Sequence, residues 1–360
     1  MKEMKERRSK RDRLLDQFST AEEQLLTTIR LFELRPRSWE TGKMVTPTHE
    51  NLLKRGQLYY GTNLEEWTST FDDLVGKGYL IQKGSGYALT RLGRPIADQG
   101  RKRWFQRGYD SLLVRSERST AHSIFCERVY GMDLCQTGMM DIKQLEKLLD
   151  LVKLQRLSKS SLVLDLGCGI GKITQYISDK TPAQLVGLDN AKKAIQEAQT
   201  RTQEIKERLR FQEGDLNNLE GIFEASLFDA ILAIDSLYFA DEMEACIAQM
   251  KDLLRSSGQM ALFYSQMSYP TDPLEVLHPD KTDIALALKN CSLGYHTYDF
   301  TASEQSLRRK QGETLALLKE EFRSEGNSDI YKVRKTEAEW ALKVFAAGRG
   351  RRYLYHVQLS

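Results

Sequence analysis

Residues 163–173 read VLDLGCGIGKI. An apolar run ends in Asp165, and Gly167, Gly169 and Gly171 follow at alternate positions. Glycine lacks a Cβ and takes left-handed backbone conformations without steric cost, so a turn this bare lets a ligand approach the main chain. A carboxylate beside it adds a partner for a cation or a hydroxyl. A phosphate loop would need GxxxxGK followed by Ser or Thr. Here Ile173 follows Lys172, and Leu166 stands where the first glycine belongs. A dinucleotide fingerprint, GxGxxG, would need glycine at 172, which is lysine. What remains is acid-x-Gly-x-Gly-x-Gly.

That pattern resembles the class I S-adenosylmethionine (SAM)-dependent methyltransferases, and the likeness runs over roughly 120–360. The resemblance implies that Asp165 anchors the ammonium of SAM. It also implies that Gly167, Cys168, Gly169 and Gly171 bring the backbone close, and that the SAM carboxylate meets free N–H groups at the next helix start. Eighteen residues after Gly171, QLVGLD ends at Asp189, followed by Asn190. An acid closing a second strand suits ribose hydroxyls. RFQEGDL brings Asp215 and Leu216 to the place where the family meets adenine. FDAILAID ends in Ile234 and Asp235, with Ser236 next, beneath the cofactor and opposite its methyl. The stretch FCERVYGMDLCQTGMMD is similar to the segment before the first strand in sterol and phosphoethanolamine methyltransferases. By position it offers Tyr130, Gln136 and Gly138 as residues folding over SAM. The plainer readings are a helix cap at Asp215 and a core helix with a loop around Tyr130.

Methyl transfer from a sulfonium is an in-line displacement, so alignment and exclusion of water come first. An amine acceptor need only be neutral, whereas an alcohol or phenol gains from a base. Base and glutamine N-methyltransferases carry Asn/Asp-Pro-Pro-aromatic after the fourth strand. This chain has IDSLYF there, which argues against those acceptors. Many small-molecule members place a histidine a few residues on, where this chain has Tyr238. The candidate catalytic residues are His296, Tyr238 and Asp235. The candidate substrate residues are Tyr238, Tyr264, His296, Tyr331, Arg334 and Trp340, with Tyr269 and Tyr298 nearby in sequence. Arg334 or His296 can take an acidic group of the substrate.

These side chains need a scaffold. From about 142 onward, apolar runs alternate with amphipathic stretches, the rhythm of a parallel sheet with crossover helices. The family fold is α/β: a Rossmann-like seven-stranded sheet with helices on both faces. The resemblance places HTYDFT and RYLYHV in a closing antiparallel hairpin. A substrate-cover insert is expected at about 266–346, with a long helical stretch from about 302. The methyltransferase domain is taken as 119–360.

Residues 1–118 form a mostly helical N-terminal domain. Helices are expected near 18–34 and 49–59, and from TNLEEW to Gly76, with Asn63 and Glu66 spaced as a capping box. Two short strands follow around Lys83–Gly86, then a helix over 91–104 capped by Thr90. The stretch 18–105 resembles a winged helix-turn-helix. The helix that would enter a DNA groove carries Glu65, Glu66, Asp72 and Asp73 against Lys77, which a phosphate lattice repels. DNA binding is therefore not expected, and homodimerisation or covering of a substrate is.

The 360 residues are 41% hydrophobic and 29% charged with a net charge of +3, a soluble globular composition. No apolar run is long enough to span a membrane. The charged start MKEMKERRSKRDR lacks the apolar core of a secretory signal. The five cysteines form no CxxC pair and no zinc spacing, so no metal is expected and the thiols read as reduced and cytoplasmic. Taken together, the expectation is an enzyme moving a methyl group from SAM to a small molecule, with S-adenosylhomocysteine as product. The alternatives are an RNA or protein methyltransferase, supported by RKRWFQR at 101–107, and a SAM-binding winged-helix regulator of transcription.

Overall fold

The apolar runs after residue 142 pair into one seven-stranded sheet in the computed structural model, which describes residues 15–60 and 65–359. In chain order the strands are β3 Leu162–Leu166, β4 Gln184–Asp189, β5 Leu209–Glu213, β6 Phe228–Ile234, β7 Leu254–Met267, β8 Tyr295–Asp299 and β9 Gly350–Gln358. Their spatial order is β5-β4-β3-β6-β7-β9-β8, and β9 runs antiparallel to both its neighbours. The chain winds from β3 out to β5, then returns to lay β6 on the other side of β3. That reversal opens a crevice at the carboxyl ends of β3 and β6, where open α/β sheets bind ligands.

Strand periodicity decides which side chain meets which layer. Leu164, Leu166, Ile231, Ala233, Met260, Leu262 and Tyr264 enter one apolar cluster. Their neighbours Val163, Ala230, Leu232, Ala261 and Phe263 enter the cluster on the opposite face. Both faces are therefore covered, and the strands read as nearly unbroken apolar runs. Met243–Leu253 and Asp283–Asn290 pack on the first face, and Ile142–Val152 and Lys192–Arg201 on the second.

Two expectations change. β8 and β9 do pair antiparallel, but no tight hairpin joins them. Three helices intervene: Thr301–Leu317, Lys319–Ser324 and Ser328–Ala346. The insert expected at about 266–346 is thus narrower. Leu274–Leu277 is a 3-10 turn, Asp283–Asn290 is a helix flanking the sheet, and β8 is an edge strand. Residues 301–346 form the helical excursion between β8 and β9. That excursion breaks at Leu318 and at Gly326, whose φ of +73° a helix cannot use.

The chain divides into two compact units. One runs up to Gly108 and takes in Tyr269–Thr271; the other holds Tyr109–Ser268 and the chain from Asp272 on. The last part of the helix Gly93–Glu117 thus belongs with the sheet. In the N-terminal unit, α1 Thr20–Leu34 opens on a capping box between Ser19 and Glu22, which the sequence reading overlooked. Its Leu25, Leu26, Ile29 and Phe32 pack with Trp67, Phe71 and Leu74 of α3 Glu65–Gly76. Between them in sequence lies α2 His49–Tyr60, and the hairpin β1 Leu80–Lys83 and β2 Gly86–Leu89 follows. Thr90 caps the next helix, its hydroxyl accepting the Gly93 N–H at 3.1 Å. The capping box expected at Asn63 and Glu66 lies outside the described residues, as does the basic arm.

Leu262 is fully buried in the middle of β7. Leu262→Ala removes its packing from a layer with little freedom to collapse. The expected loss is about 2–5 kcal/mol, read as a lower urea midpoint of the sheet unit. A loss under 1 kcal/mol would place this strand outside the folding core.

Candidate functional site

β3 delivers Asp165 to the carboxyl edge of the sheet and the chain turns at once. Gly167, Gly169 and Gly171 all have left-handed φ, at +81°, +56° and +77°. The N–H groups of Gly167 and Cys168 are tied to the Leu188 carbonyl at 2.7 and 3.1 Å, which fixes the turn to β4. A Cβ on Gly167 would lie 2.2 Å from the Ser236 Cβ, and one on Gly171 2.4 Å from the Phe211 ring. Those two glycines therefore answer to the protein's own packing. A Cβ on Gly169 would meet only Leu113, at 3.5 Å. Gly169 is the glycine with room for a ligand.

The Asp165 carboxylate is 2% exposed and accepts a 2.6 Å hydrogen bond from the Thr174 hydroxyl. Burial, set against that bond and joined by the charge of Asp189, pushes its carboxyl up to about 6. Burial also raises the Asp189 carboxyl, although backbone N–H groups oppose the shift. Asp189 accepts from Gly169 N–H and from Ala191 N–H, both at 2.8 Å. Each carboxylate oxygen keeps lone-pair capacity for a hydroxyl. Asn190 is exposed beside it. Asp215 is half-buried and closes a turn by accepting from the Asn217 N–H at 2.9 Å, while Leu216 packs on the sheet core. A pocket is lined by Asp165, Gly167, Cys168 and Gly169 of the turn, by Cys135, Gln136, Thr137 and Gly138 of the preceding loop, and by Ile234.

Tyr130 and Gln136 take different roles from those expected. The Tyr130 hydroxyl donates to the Gly138 carbonyl at 3.0 Å and accepts from Gln311 at 2.9 Å. The Gln136 amide turns back on its own loop, accepting from Leu134 N–H and donating to the Met132 carbonyl. Their polar atoms shape the pocket wall instead of pointing into it. Leu113, from the end of the helix Gly93–Glu117, completes the wall, and Asp110 on that helix accepts the Lys193 N–H at 2.7 Å. Sequence reasoning missed both, because a helix of low amphipathicity gives no sign of which turn faces a site.

Asp235 is no free base. Arg352 of β9 grips it with two nitrogens, Nη1 to Oδ1 at 2.6 Å and Nη2 to Oδ2 at 3.1 Å. The Met139 N–H adds a bond to Oδ2 at 2.9 Å, which pins the loop around Gly138. Arg352 also donates to Gln144 at 2.7 Å and stands 3.9 Å from Glu304. Tyr238 is likewise engaged: its oxygen accepts the Ser265 N–H at 2.6 Å and its ring packs on Tyr264 at 4.8 Å. Burial and the Asp235 charge push the Tyr238 phenol well above its ordinary value, so it keeps its proton. His296 is exposed on the edge strand β8. It shares a register row with Asp165 across four strand spacings, about 19 Å at about 4.8 Å each. That distance removes it from the pocket both as base and as substrate ligand. Tyr331 packs with Phe322 in an apolar cluster of the inserted helices. Arg334 is buried behind the pocket loop, donating to the Thr137 carbonyl at 2.7 Å. Trp340 is half-buried six residues farther along the same helix, about 120° around its axis from Arg334. Tyr269 belongs to the N-terminal unit, where Trp39 stacks on it.

A switch-point crevice lined by a glycine turn and successive strand-end acids defines a Rossmann-like nucleoside-binding sheet. Residues 163–258 match the family model described as a methyltransferase domain. The sterol 24-C-methyltransferase of Kluyveromyces lactis is 27% identical over 135 residues, 37% of this chain and 35% of that protein. Phosphoethanolamine N-methyltransferase 3 of Arabidopsis thaliana is 26% identical over 203 residues, 56% of this chain and 38% of that one. The chain thus spans little more than a third of these relatives' length. The structure of Haemonchus contortus phosphoethanolamine N-methyltransferase 2, bound to phosphomonomethylethanolamine and S-adenosylhomocysteine, shares the fold. Its TM-score is 0.55 at 15% identity, covering 70% of this chain and 60% of that one. The sheet unit thus has the fold of the class I SAM-dependent methyltransferases, and its residues 163–258 carry the match to a methyltransferase domain.

Arg352→Met would strand the Asp235 carboxylate without its cation, while Glu304 would keep Arg308. Removing one partner of a buried pair costs about 3–5 kcal/mol, so the thermal midpoint should drop sharply. The double variant Arg352→Met/Asp235→Asn should recover part of the loss. Equal midpoints for wild type and the single variant would show that the pair does not hold the site together.

Proposed function

We propose that the protein transfers a methyl group from SAM to a small-molecule acceptor. One observation carries the reading: two neighbouring strand-end carboxylates, the buried Asp165 and the half-buried Asp189, flank a left-handed glycine turn whose middle member leaves space. Asp165 accepts from Thr174 while burial disfavours its charge, so a cationic ammonium suits it. Asp189 suits the ribose hydroxyls, and the end of β5, with Asp215 and Leu216, suits the adenine. Bound SAM supplies a methyl group already activated by its sulfonium. The chain's own residues then orient and shield. Asp235 and Arg352 hold the loop 136–140 against the end of β6, and the helices 301–346 pack on Thr120–Tyr130 beside it.

Of the three candidate bases, Asp235 and Tyr238 are engaged and His296 lies on the sheet edge, which favours an acceptor atom that attacks with its own lone pair. The basic segment 101–107 gives little support to an RNA acceptor. Its Arg103 pairs with Glu23 at 3.2 Å, and most of the segment is half-buried. In the N-terminal unit Asp72 and Asp73 are exposed on α3, which favours a protein contact such as pairing of two copies over DNA reading. The five cysteines are free thiols, which suits the reducing cytoplasm proposed for the protein. Among the described residues no helix is long and apolar enough to cross a membrane.

The test is incubation with methyl-labelled SAM and fractionated cell extract. Label in the small-molecule fraction supports the reading. Label in RNA or protein alone, or in no fraction, overturns it.

The Asp165 carboxyl gives a pH signature. An ammonium ligand needs the ionised form, so S-adenosylhomocysteine affinity should be flat above pH 7. Below about pH 6 it should fall roughly tenfold per pH unit. Asp165→Asn should bind weakly and without that slope. In the ligand-free protein the sign reverses. The folded state holds this proton more tightly than the unfolded chain, so its contribution is present below pH 3.8 and is lost as pH rises through about 6. Calorimetry showing a wild-type affinity level from pH 5 to 8 would remove Asp165 from the ammonium site.

A further inference from the structure

Arg334 is only 4% exposed, on the inserted helix Ser328–Ala346. Its Nη1 donates to the Thr137 carbonyl at 2.7 Å and stands 3.4 Å from Glu337, an acid that is itself half exposed. Its Nε and Nη2 are buried with no hydrogen-bond partner. A buried donor without an acceptor costs free energy, and a buried charge costs more. Among the groups around it, the half-exposed Glu337 is the main compensating charge, and it reaches only Nη1. Burial pushes the thiol of Cys126 well up and that of Cys135 to about 12, and it raises the Tyr130 phenol. Burial also pulls the His122 imidazole well below its ordinary value. These four side chains are therefore neutral near pH 7. Two parallel N–H directions of one guanidinium match the two oxygens of a carboxylate or phosphate. The Thr137 carbonyl that holds Arg334 belongs to the same loop that lines the pocket with Asp165.

We propose that Arg334 anchors an anion-binding subsite that takes a carboxylate or phosphate group of the small-molecule acceptor. The inference rests on the methyltransferase reading above and narrows it to an acidic acceptor. The sheet and its turn supply partners for SAM, whereas Arg334 comes from the excursion between β8 and β9. The same guanidinium could instead meet the methionine carboxylate of SAM, and the two sources can be separated.

The experiment uses the full chain, as wild type, Arg334→Met and Arg334→Lys. Each is titrated in a calorimeter with S-adenosylhomocysteine and with 5′-methylthioadenosine, which lacks the amino-acid group. Each is then loaded with S-adenosylhomocysteine and titrated with inorganic phosphate and with acetate. The expected result is that loaded wild type binds phosphate or acetate, and that Arg334→Met weakens this roughly 10- to 100-fold. Both nucleosides should bind the variants as they bind wild type. A comparable loss for S-adenosylhomocysteine alone, with 5′-methylthioadenosine unchanged, keeps the anion site but assigns it to the cofactor, overturning the acidic acceptor. No anion binding by loaded wild type, with S-adenosylhomocysteine affinity equal in Arg334→Lys, overturns the subsite even if Arg334→Met fails to fold. Should wild type not bind S-adenosylhomocysteine at all, the cofactor reading falls instead. The anion titrations on the ligand-free chain then judge Arg334 separately.

Discussion

The buried pair between Asp235 and Arg352 ties the site together. Asp235 stands just past the end of β6 with φ +54°, a left-handed conformation that a non-glycine residue holds only at a cost of about 1–3 kcal/mol. The strain is sustained because the carboxylate is fixed from several directions. Arg352 comes from the antiparallel strand β9, Met139 from the pocket loop, and Tyr238 from the turn that follows β6. Through Arg352 the same contact reaches Gln144, Ser265 and Glu304. Strands β6, β7 and β9, the loop and the first inserted helix all converge on it. A fully desolvated ion pair repays its desolvation only when the remaining donors and acceptors are also met, and this one is nearly saturated.

From that point a second polar chain runs into the inserted helices. Glu304 accepts from Arg308 at 2.6 Å, Arg308 donates to Gln311 at 3.0 Å, and Gln311 donates to Tyr130 at 2.9 Å. Tyr130 closes the path at the Gly138 carbonyl. The backbone at Gly138 must lie close, since a Cβ there would come within 2.8 Å of the Asp235 Oδ2. The pocket loop is thus held at both ends of one network, by Asp235 at Met139 and by Tyr130 at Gly138. Apolar contacts among Phe125, Leu307, Leu315 and Phe322 supply bulk cohesion beside it. They are non-directional, so they fix closeness but not the angle of the inserted helices. The hydrogen-bonded chain fixes the angle.

The sheet was legible because its physics is local. Strands buried on both faces must be apolar at every position, and the acids closing β3, β4 and β5 stood out against those runs. The glycine turn was legible too, though for a partly different reason than supposed: Ser236 and Phe211 already forbid side chains at Gly167 and Gly171. What the sequence could not reveal depends on contacts between distant residues. Arg352 reads as one of several arginines in GRGRRYLYH, and only the pairing of β9 beside β7 brings it to Asp235. Gln136 and Tyr130 lay at the expected positions, but the direction of a side chain is not encoded in spacing. His296 was attractive because histidine titrates near neutral pH, yet its strand is placed at the sheet edge by a crossover of some fifty residues. The inserted helices merged into one long helical stretch on paper because Leu318 gives no breaking signal.

A pocket wall built on buried charge follows from the way the chain is wound. The loop 132–140 precedes β3, while the helices that brace it come after β8, so no short turn couples the two. Coupling them through apolar surface alone would let the helices slide along the loop with little change in energy. Each bond from Gln311, Tyr130, Asp235 and Arg352 has a narrow angular range, and losing one leaves a buried polar group unpaired. The wall is therefore held in a single arrangement by the cost of every alternative. An enzyme whose chemistry consists of alignment has most need of that property, since the rate then depends on where the acceptor atom is held.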